Sequence, residues 1–298
     1  MNFANNLYVS TSCIKTDRNL EKCIKELNKK NIFNIEFSGI HNFISSDRIV
    51  NILKRKKNEK SNFIFHNYFP APKKKIVMNF ISRNEEIYYI TKNIILNAYK
   101  ISIKCNIKFY GFHPGYLRDA NINSNGFFNF IQEPKMTRGE ALDLFIKRYL
   151  KLNKEIKSNN FSLAIENLFP NPDKTNDSLM CSFEEIDYIF SNKNISKTNL
   201  GIVLDMGHLD ISANLLGFNK YDFIKKILNK YGDRIYEVHL SANNKIIDQH
   251  KRILENSWQI KCLKKFKSGL KEMAITIESR NLNYNQISHD YKMILNKI

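Results

Sequence analysis

Nowhere in the 298 residues is there an apolar run approaching the roughly 18 residues that a membrane-crossing helix needs. The opening stretch, MNFANNLYVSTSC, lacks the basic-then-apolar layout of a secretory leader. Cysteines number five, at Cys13, Cys23, Cys105, Cys181 and Cys262, with no C-x-x-C pair among them. An odd, scattered set argues against a disulfide framework or a zinc ribbon, and it fits a reducing cytoplasm. Acidic residues are also scarce: 29 stand against 47 Lys and Arg, a formal charge of +18. The basic excess is not gathered in one arm but spread through KRKKNEK, PAPKKK, KKILNK and KCLKKFK. It reads as a solvated basic surface more than a phosphate track, and it favours anionic partners such as sugar phosphates and nucleotides. What is present is ample apolar material, 43% of the chain, for a large core.

Residues 201–210 read GIVLDMGHLD. The apolar opening suits a strand covered on both faces, as in a parallel sheet. Asp205 then stands at the strand's C-terminal end and His208 in the loop after it, where ligands gather in parallel α/β proteins. Similar units recur along the chain. Asn6–Ser10 reads as a strand followed by a helix over Leu20–Lys29, and Ile32–Gly39 as a second strand followed by a helix around Asp47–Lys57. Asn62–Phe69 is a third, carrying His66, and a helix over Glu85–Ile103 leads to IKFYGFHPG with His113. After a polar insertion at Leu117–Lys135, a helix from about Arg138 to Lys157 leads to FSLAIEN with Glu166. A capped helix over Ser182–Ser191 leads to GIVLD. A helix near Tyr221–Tyr231, RIYEVHL with His239, a helix near Trp258–Gly269 and MAITIES with Glu278 complete the series. Eight strands alternating with helices predict one α/β domain over residues 1–298, a single (β/α)8 TIM barrel.

The third to eighth strands each end in a residue able to bind a metal: His66, His113, Glu166, Asp205, His239 and Glu278. His208, Asp248 and His250 lie just beyond such ends. A barrel brings them all to one mouth. Each alone has a structural reading. A strand-end His can be a hydrogen-bonded core histidine, Asp205 can cap the next helix, and Glu278 can pair with a lysine. Together, two Glu, one Asp and one His converging on one point need compensation for buried charge, and a divalent cation supplies it most simply. Mixed carboxylate and imidazole donors suit Mn²⁺, Co²⁺, Mg²⁺ or Zn²⁺, and the absence of Cys argues against a thiolate site.

In order along the chain, IEN, LDMGH, VHLS, DQH and IES resemble the motif series of the xylose isomerase-like barrel superfamily. That superfamily includes sugar phosphate isomerases and epimerases and endonuclease IV. The isomerase and epimerase branch implies one divalent metal held by Glu166, Asp205, His239 and Glu278, with Glu166 and Glu278 as the catalytic pair that moves a proton next to a carbonyl. His66, His113, His208, His250 and Arg252 would then contact a sugar or sugar phosphate. The nuclease branch implies three Zn²⁺, with His66, His113, His208, Asp248 and His250 as additional ligands and DNA with an abasic site as substrate. Three features depart from that branch: KRILENSW after the second His motif, Ala242 in HLSANN, and NYFPAP after His66. A third expectation is a catalytically silent barrel that binds metal or sugar. Barrels of this kind often pair, so a homodimer is a further expectation.

Overall fold

Every barrel strand is short, four to six residues, and most of its positions are buried, because helices cover the outside while side chains fill the inside. The computed structural model describes residues 6–298 apart from 58–59, 75, 123–127, 132–134, 159, 173–174 and 271. In chain order the barrel strands are β1 (Leu7–Ser10), β2 (Asn34–Phe37), β3 (Asn62–His66), β4 (Phe109–Phe112), β7 (Ser162–Glu166), β8 (Gly201–Asp205), β9 (Ile235–Leu240) and β10 (Ala274–Ile277). Each pairs in parallel with its neighbours, and β10 closes onto β1 through Leu7–Ile275 and Val9–Ile277. The predicted (β/α)8 barrel is the observed fold.

The helices are α1 (Leu20–Asn28), α2 (Ser46–Lys57), α3 (Glu85–Cys105), α4 (Arg138–Glu155), α5 (Phe183–Phe190), α6 (Met206–Leu216), α7 (Lys220–Tyr231), α8 (Trp258–Lys265), α9 (Lys267–Leu270) and α10 (Tyr284–Lys297). Their starts follow from short polar side chains. Asn19, Asn84, Thr137, Ser182, Asn219, Ser257 and Asn283 each accept a hydrogen bond from a first-turn N–H, an arrangement worth about 1 kcal/mol per cap. Thr137–Glu140 and Asn283–Gln286 are reciprocal capping boxes. None of the helices is long and apolar enough to cross a membrane among the described residues.

Four elements differ from the alternation read off the sequence. Residues 206–216 form α6 and not a loop, with β8 running straight into it. Its first eight residues are all buried, so it has no apolar stripe by which to be recognised. The insertion at 117–135 contains a hairpin, β5 (Ala120–Ile122) against β6 (Phe128–Phe130); its residues 123–127 and 132–134 lie outside the described set. The expected helix near Trp258–Gly269 is interrupted at Phe266, and α10 follows the last strand.

Strand periodicity places Tyr8, Ile64, Phe109, Ala164, Val203 and Ala274 on the barrel's inner face, and these pack into an apolar plug of their own. Toward the mouth on the same strand faces stand Ser10, Glu36, His66, Glu166, Asp205, Thr276 and, through a register shift, Glu237 and His239. The shift is in β9: Ile202 pairs with Ile235 but Val203 with Glu237, so Tyr236 is the extra residue. Gly201 makes room for it, since a Cβ there would collide with the Tyr236 ring. The apolar plug thus supports a polar layer at the mouth.

Candidate metal centre

The residues read as ligands from the sequence converge. His239 Nδ1 lies 3.3 Å from Glu166 Oε1, 3.7 Å from Asp205 Oδ2 and 3.3 Å from Glu278 Oε2. His66 Nε2 and His113 Nε2 lie 3.1 and 3.0 Å from the other Glu166 oxygen, Oε2. On the far side, Asp248 Oδ2 lies 2.6 Å from His250 Nε2 and 3.7 Å from His208 Nε2. Three donor groups are thereby contiguous, His66–His113–Glu166, Glu166–Asp205–His239–Glu278 and His208–Asp248–His250, and Glu166 belongs to two of them.

Several of these atoms are buried without a hydrogen-bond partner: both Glu166 oxygens, Asp205 Oδ2, His239 Nδ1, Asp248 Oδ1 and His250 Nε2. They approach one another off line, as side chains do when aimed at a shared point. Donors about 2.1 Å from one tetrahedral ion would stand roughly 3.4 Å apart, in the range observed. Orphaned buried polar atoms are costly, and a divalent cation would satisfy them. The donor set therefore fits a metal.

The rings are also held for such a role. His208 Nδ1 bonds the Asn167 carbonyl at 2.9 Å and His250 Nδ1 the Glu278 carbonyl at 2.9 Å, so each Nδ1 carries a proton and each Nε2 is the nitrogen turned toward Asp248. His113 Nδ1 meets the Tyr116 hydroxyl at 3.0 Å. Phe169 packs on the His208 ring with centroids 4.7 Å apart. His250 sits at a left-handed φ of 43°, held there by the Glu278 carbonyl and by its own N–H donating to Asn243 Oδ1 at 3.1 Å.

Asp205 is placed for both of the roles open to it, the cap being made and the second oxygen turned to the donor cluster. Oδ1 caps α6 by accepting the His208 N–H at 2.7 Å, and Oδ2 faces His239. Because β8 passes directly into α6, His208 is a first-turn helix residue. Gly207 is required at this junction, since a Cβ would collide with Ser241 Oγ and come within 2.8 Å of Asn243 Nδ2. Gly111 likewise clears space beside His66, where a Cβ would stand 2.7 Å from Nδ1.

Electrostatics follow from this crowding. Burial opposes the charged form of Glu166, yet the imidazoles of His66, His113, His208 and His239 hold its carboxyl well below the usual range. Glu278 is likewise lowered, against burial, by His250 and His239. Asp248 is held down, against burial, by His250 and His208. Burial works against protonated His66, but Glu166 and Glu36 raise it to about 9. His208, also opposed by burial, is raised to about 10 by Asp205, Asp248 and Glu166. For His113 burial prevails and its pKa is lowered.

Arg252, expected at the substrate, is not brought to this cluster. Its Nε donates to both Asp290 oxygens on α10, at 3.1 and 2.8 Å, and its Nη2 reaches Asp290 and His289. Two members of the centre escaped the sequence reading. Glu36 on β2 and Glu237 on β9 are fully buried and join His66 and His239 in a fourth donor group below the others. A glutamate inside an otherwise apolar strand run, as in NIEF and IYEVHL, was the available signal.

Residues 31–289 match the family model described as xylose isomerase-like TIM barrel. Uncharacterized protein MJ1311 of Methanocaldococcus jannaschii is 26% identical over 225 residues, 74% of this chain and 68% of that protein. Among solved structures, a D-tagatose 3-epimerase-like protein superposes with TM-score 0.69 at 22% identity over 98% of both chains. D-psicose 3-epimerase crystallised in the presence of D-fructose gives TM-score 0.69 at 13% identity, covering 98% of this chain and 97% of that one. Endonuclease IV from Thermus thermophilus gives TM-score 0.65 at 12% identity, covering 98% and 100%. At these identities the solved structures establish the shared fold.

Proposed function

Since the chain belongs to the xylose isomerase-like TIM barrel family, we propose that it is a metal-dependent isomerase or epimerase that moves a proton next to the carbonyl of a sugar or sugar phosphate. The observation carrying this reading is the ring of carboxylate oxygens from Glu166, Asp205 and Glu278 around His239 Nδ1. In the barrel order β7–β8–β9–β10 the two glutamates are the outer pair, with Asp205 and His239 between them. A divalent ion held by these four residues would serve as a Lewis acid toward a carbonyl.

The rest of the chemistry belongs to side chains. Glu166 and Glu278 are held ionised by their histidine neighbours, so either can accept the proton next to the carbonyl; the same carboxyl, now protonated, can give it back, or the opposite glutamate can return one after taking up a proton from solvent. Return to the opposite face of the same carbon gives an epimer, and return to the adjacent carbon gives an isomer. Within the centre, His113 and Asp248 have the greatest side-chain exposure, 18% and 14%, so access suits a small molecule and the enclosure excludes bulk water.

A second reading, zinc-dependent cleavage of DNA at abasic sites, is favoured by one specific observation. The three upper donor groups hold four carboxylates (Glu166, Asp205, Asp248, Glu278) and five imidazoles, more donors than one ion can use and enough for three. Against it, the segment after His66 is packed inward and does not project as a wedge. Phe69 is 1% exposed and stacks on Phe37 with centroids 5.2 Å apart.

Elemental analysis of the purified protein, of His66→Ala and of His113→Ala separates the readings when combined with two assays. One is deuterium wash-in at the carbon next to the carbonyl of ketoses and their phosphates; the other is nicking of abasic duplex DNA. About one ion per chain in all three proteins, with wash-in, is the expected result. About three zinc ions, falling in both variants and accompanied by nicking, would replace it with the nuclease reading. Bound metal with neither activity would indicate a silent barrel, and no metal would remove both mechanisms.

A further inference from the structure

The imidazole of His239 has two nitrogens facing two different sets of carboxylates. Nδ1 points to Glu166, Asp205 and Glu278, whereas Nε2 is hydrogen-bonded to Glu36 Oε2 at 3.0 Å and lies 3.3 Å from Glu237 Oε1. Glu36, Glu237 and His239 are all 0% exposed, so no solvent competes for these contacts. Thr276 donates its hydroxyl to Glu237 Oε1 and fixes that carboxylate from β10. The extra residue Tyr236 is what turns Glu237 onto the inner face, two positions before His239.

An imidazole can offer a lone pair at Nδ1 only if the ring proton is on Nε2. A carboxylate accepting that proton fixes the tautomer, fixes the ring plane and raises the basicity of the opposite nitrogen. Taking the metal-binding reading above as its premise, we propose that Glu36 and Glu237 are positioning residues that hold His239 with its Nε2 proton downward and its Nδ1 lone pair toward Glu166, Asp205 and Glu278, and so set how tightly that centre holds a divalent cation. The competing occupant of the lower layer is a cation of its own, because Glu36, His66, Glu237 and His239 also present donor atoms within 4.8 Å of one another. That ion would require His239 to bind through both nitrogens at once. Acceptance of one proton by Glu36 asks less of the ring.

The test is a titration of metal-stripped protein with Zn²⁺ against a chromophoric chelator, alongside visible spectra of the Co²⁺-loaded form. Glu36→Leu removes both acceptor and charge, and roughly 10–100-fold weaker binding at an unchanged ion count is expected, with an altered Co²⁺ spectrum. Glu36→Gln keeps an acceptor oxygen of the same reach and should recover part of the affinity; Glu237→Gln should weaken binding less than Glu36→Leu. Unfolding midpoints of the metal-free variants separate misfolding from lost affinity, and the near-isosteric Gln variants carry the test if the Leu variant does not fold. Unchanged affinity in folded Glu36 variants overturns the proposal. So does loss of one whole ion per chain with the others bound normally, which would make the pair ligands themselves. No substrate enters the experiment, so a fall in affinity without any sugar turnover would leave this inference standing and remove the isomerase reading. A wild-type protein that takes up no ion removes both.

Discussion

Two halves of the centre are built differently. His66, His113, Glu166, His239 and Glu278 stand on barrel strands or immediately after them, where parallel ladders on both sides fix the backbone. His208 is carried by α6, and Asp248 and His250 by the segment between β9 and α8. That segment is closed by one isolated bridge, Ala242–Lys251, with N–H···O distances of 2.9 and 2.7 Å, and by the Asn243 side chain accepting from Gln249 and His250. On the isomerase reading, the strand half would carry the two glutamates that move protons, and the loop half would control what lies above them. Chemistry placed on the rigid part and selection on the adjustable part is the division that barrel enzymes exploit.

The largest expected effect breaks the strand half. Glu278→Gln keeps the side chain's shape but removes a proton carrier, and turnover measured by deuterium wash-in should fall about 10²–10⁴-fold. His250→Ala, in the loop half, should lower kcat less and change substrate preference more. Equal losses would abolish the distinction between the halves.

A smaller effect compares two of the close approaches made by glycine, those beside the donor cluster. Gly207→Ala places a Cβ against Ser241, Asn243 and Asp205 at the start of a buried helix, so the overpacking cost should be about 1–3 kcal/mol, read as a lower thermal midpoint. Gly111→Ala meets the His66 ring edge at 2.7 Å and Val203 at 3.0 Å. It should cost less stability, read as a smaller fall in the thermal midpoint, because the edge of one ring has to give way and not the start of a buried helix.

The last effect is absent at neutral pH and appears only in acid. His41, in the loop after β2, is buried against Phe37 and Phe69, and burial lowers its pKa to about 4. The unfolded chain, with its histidine near 6.5, binds the proton first. Stability from keeping His41 neutral is therefore complete above about pH 6.5 and is lost as pH falls toward 4, by roughly 3 kcal/mol at most. Urea midpoints at pH 7 and pH 4.5 should lie closer together for His41→Leu than for the wild type. An identical pH dependence in the two proteins would show that His41 is not the group responsible.

Much of this arrangement was legible in the residue order. The barrel announced itself through eight short apolar runs between helical stretches, and the convergence of the candidate ligands through their recurrence at strand ends. Asp205 was open to two interpretations, cap or ligand, because a one-dimensional string does not show that one carboxylate can face two ways. Glu36 and Glu237 were missed because strands buried on both faces lack the polar alternation that would set an inward glutamate apart. Tyr236 compounds this, since a register shift changes which residue points inward without leaving a mark in composition. Arg252 matched a motif position, but nothing near it in sequence signals Asp290 on α10. Pairings across distant segments are where residue order alone runs out.

Glu166 turns one oxygen toward His66 and His113 and the other toward His208 and His239. Any two cations drawing on it would divide a single negative charge between them. Occupancy of one position would then alter the affinity of the next, and by thermodynamic reciprocity the reverse would hold to the same degree. A loading curve that runs past one ion per chain should therefore depart from the sum of independent hyperbolas, and Glu166 is the residue through which that cooperativity, positive or negative, would be transmitted.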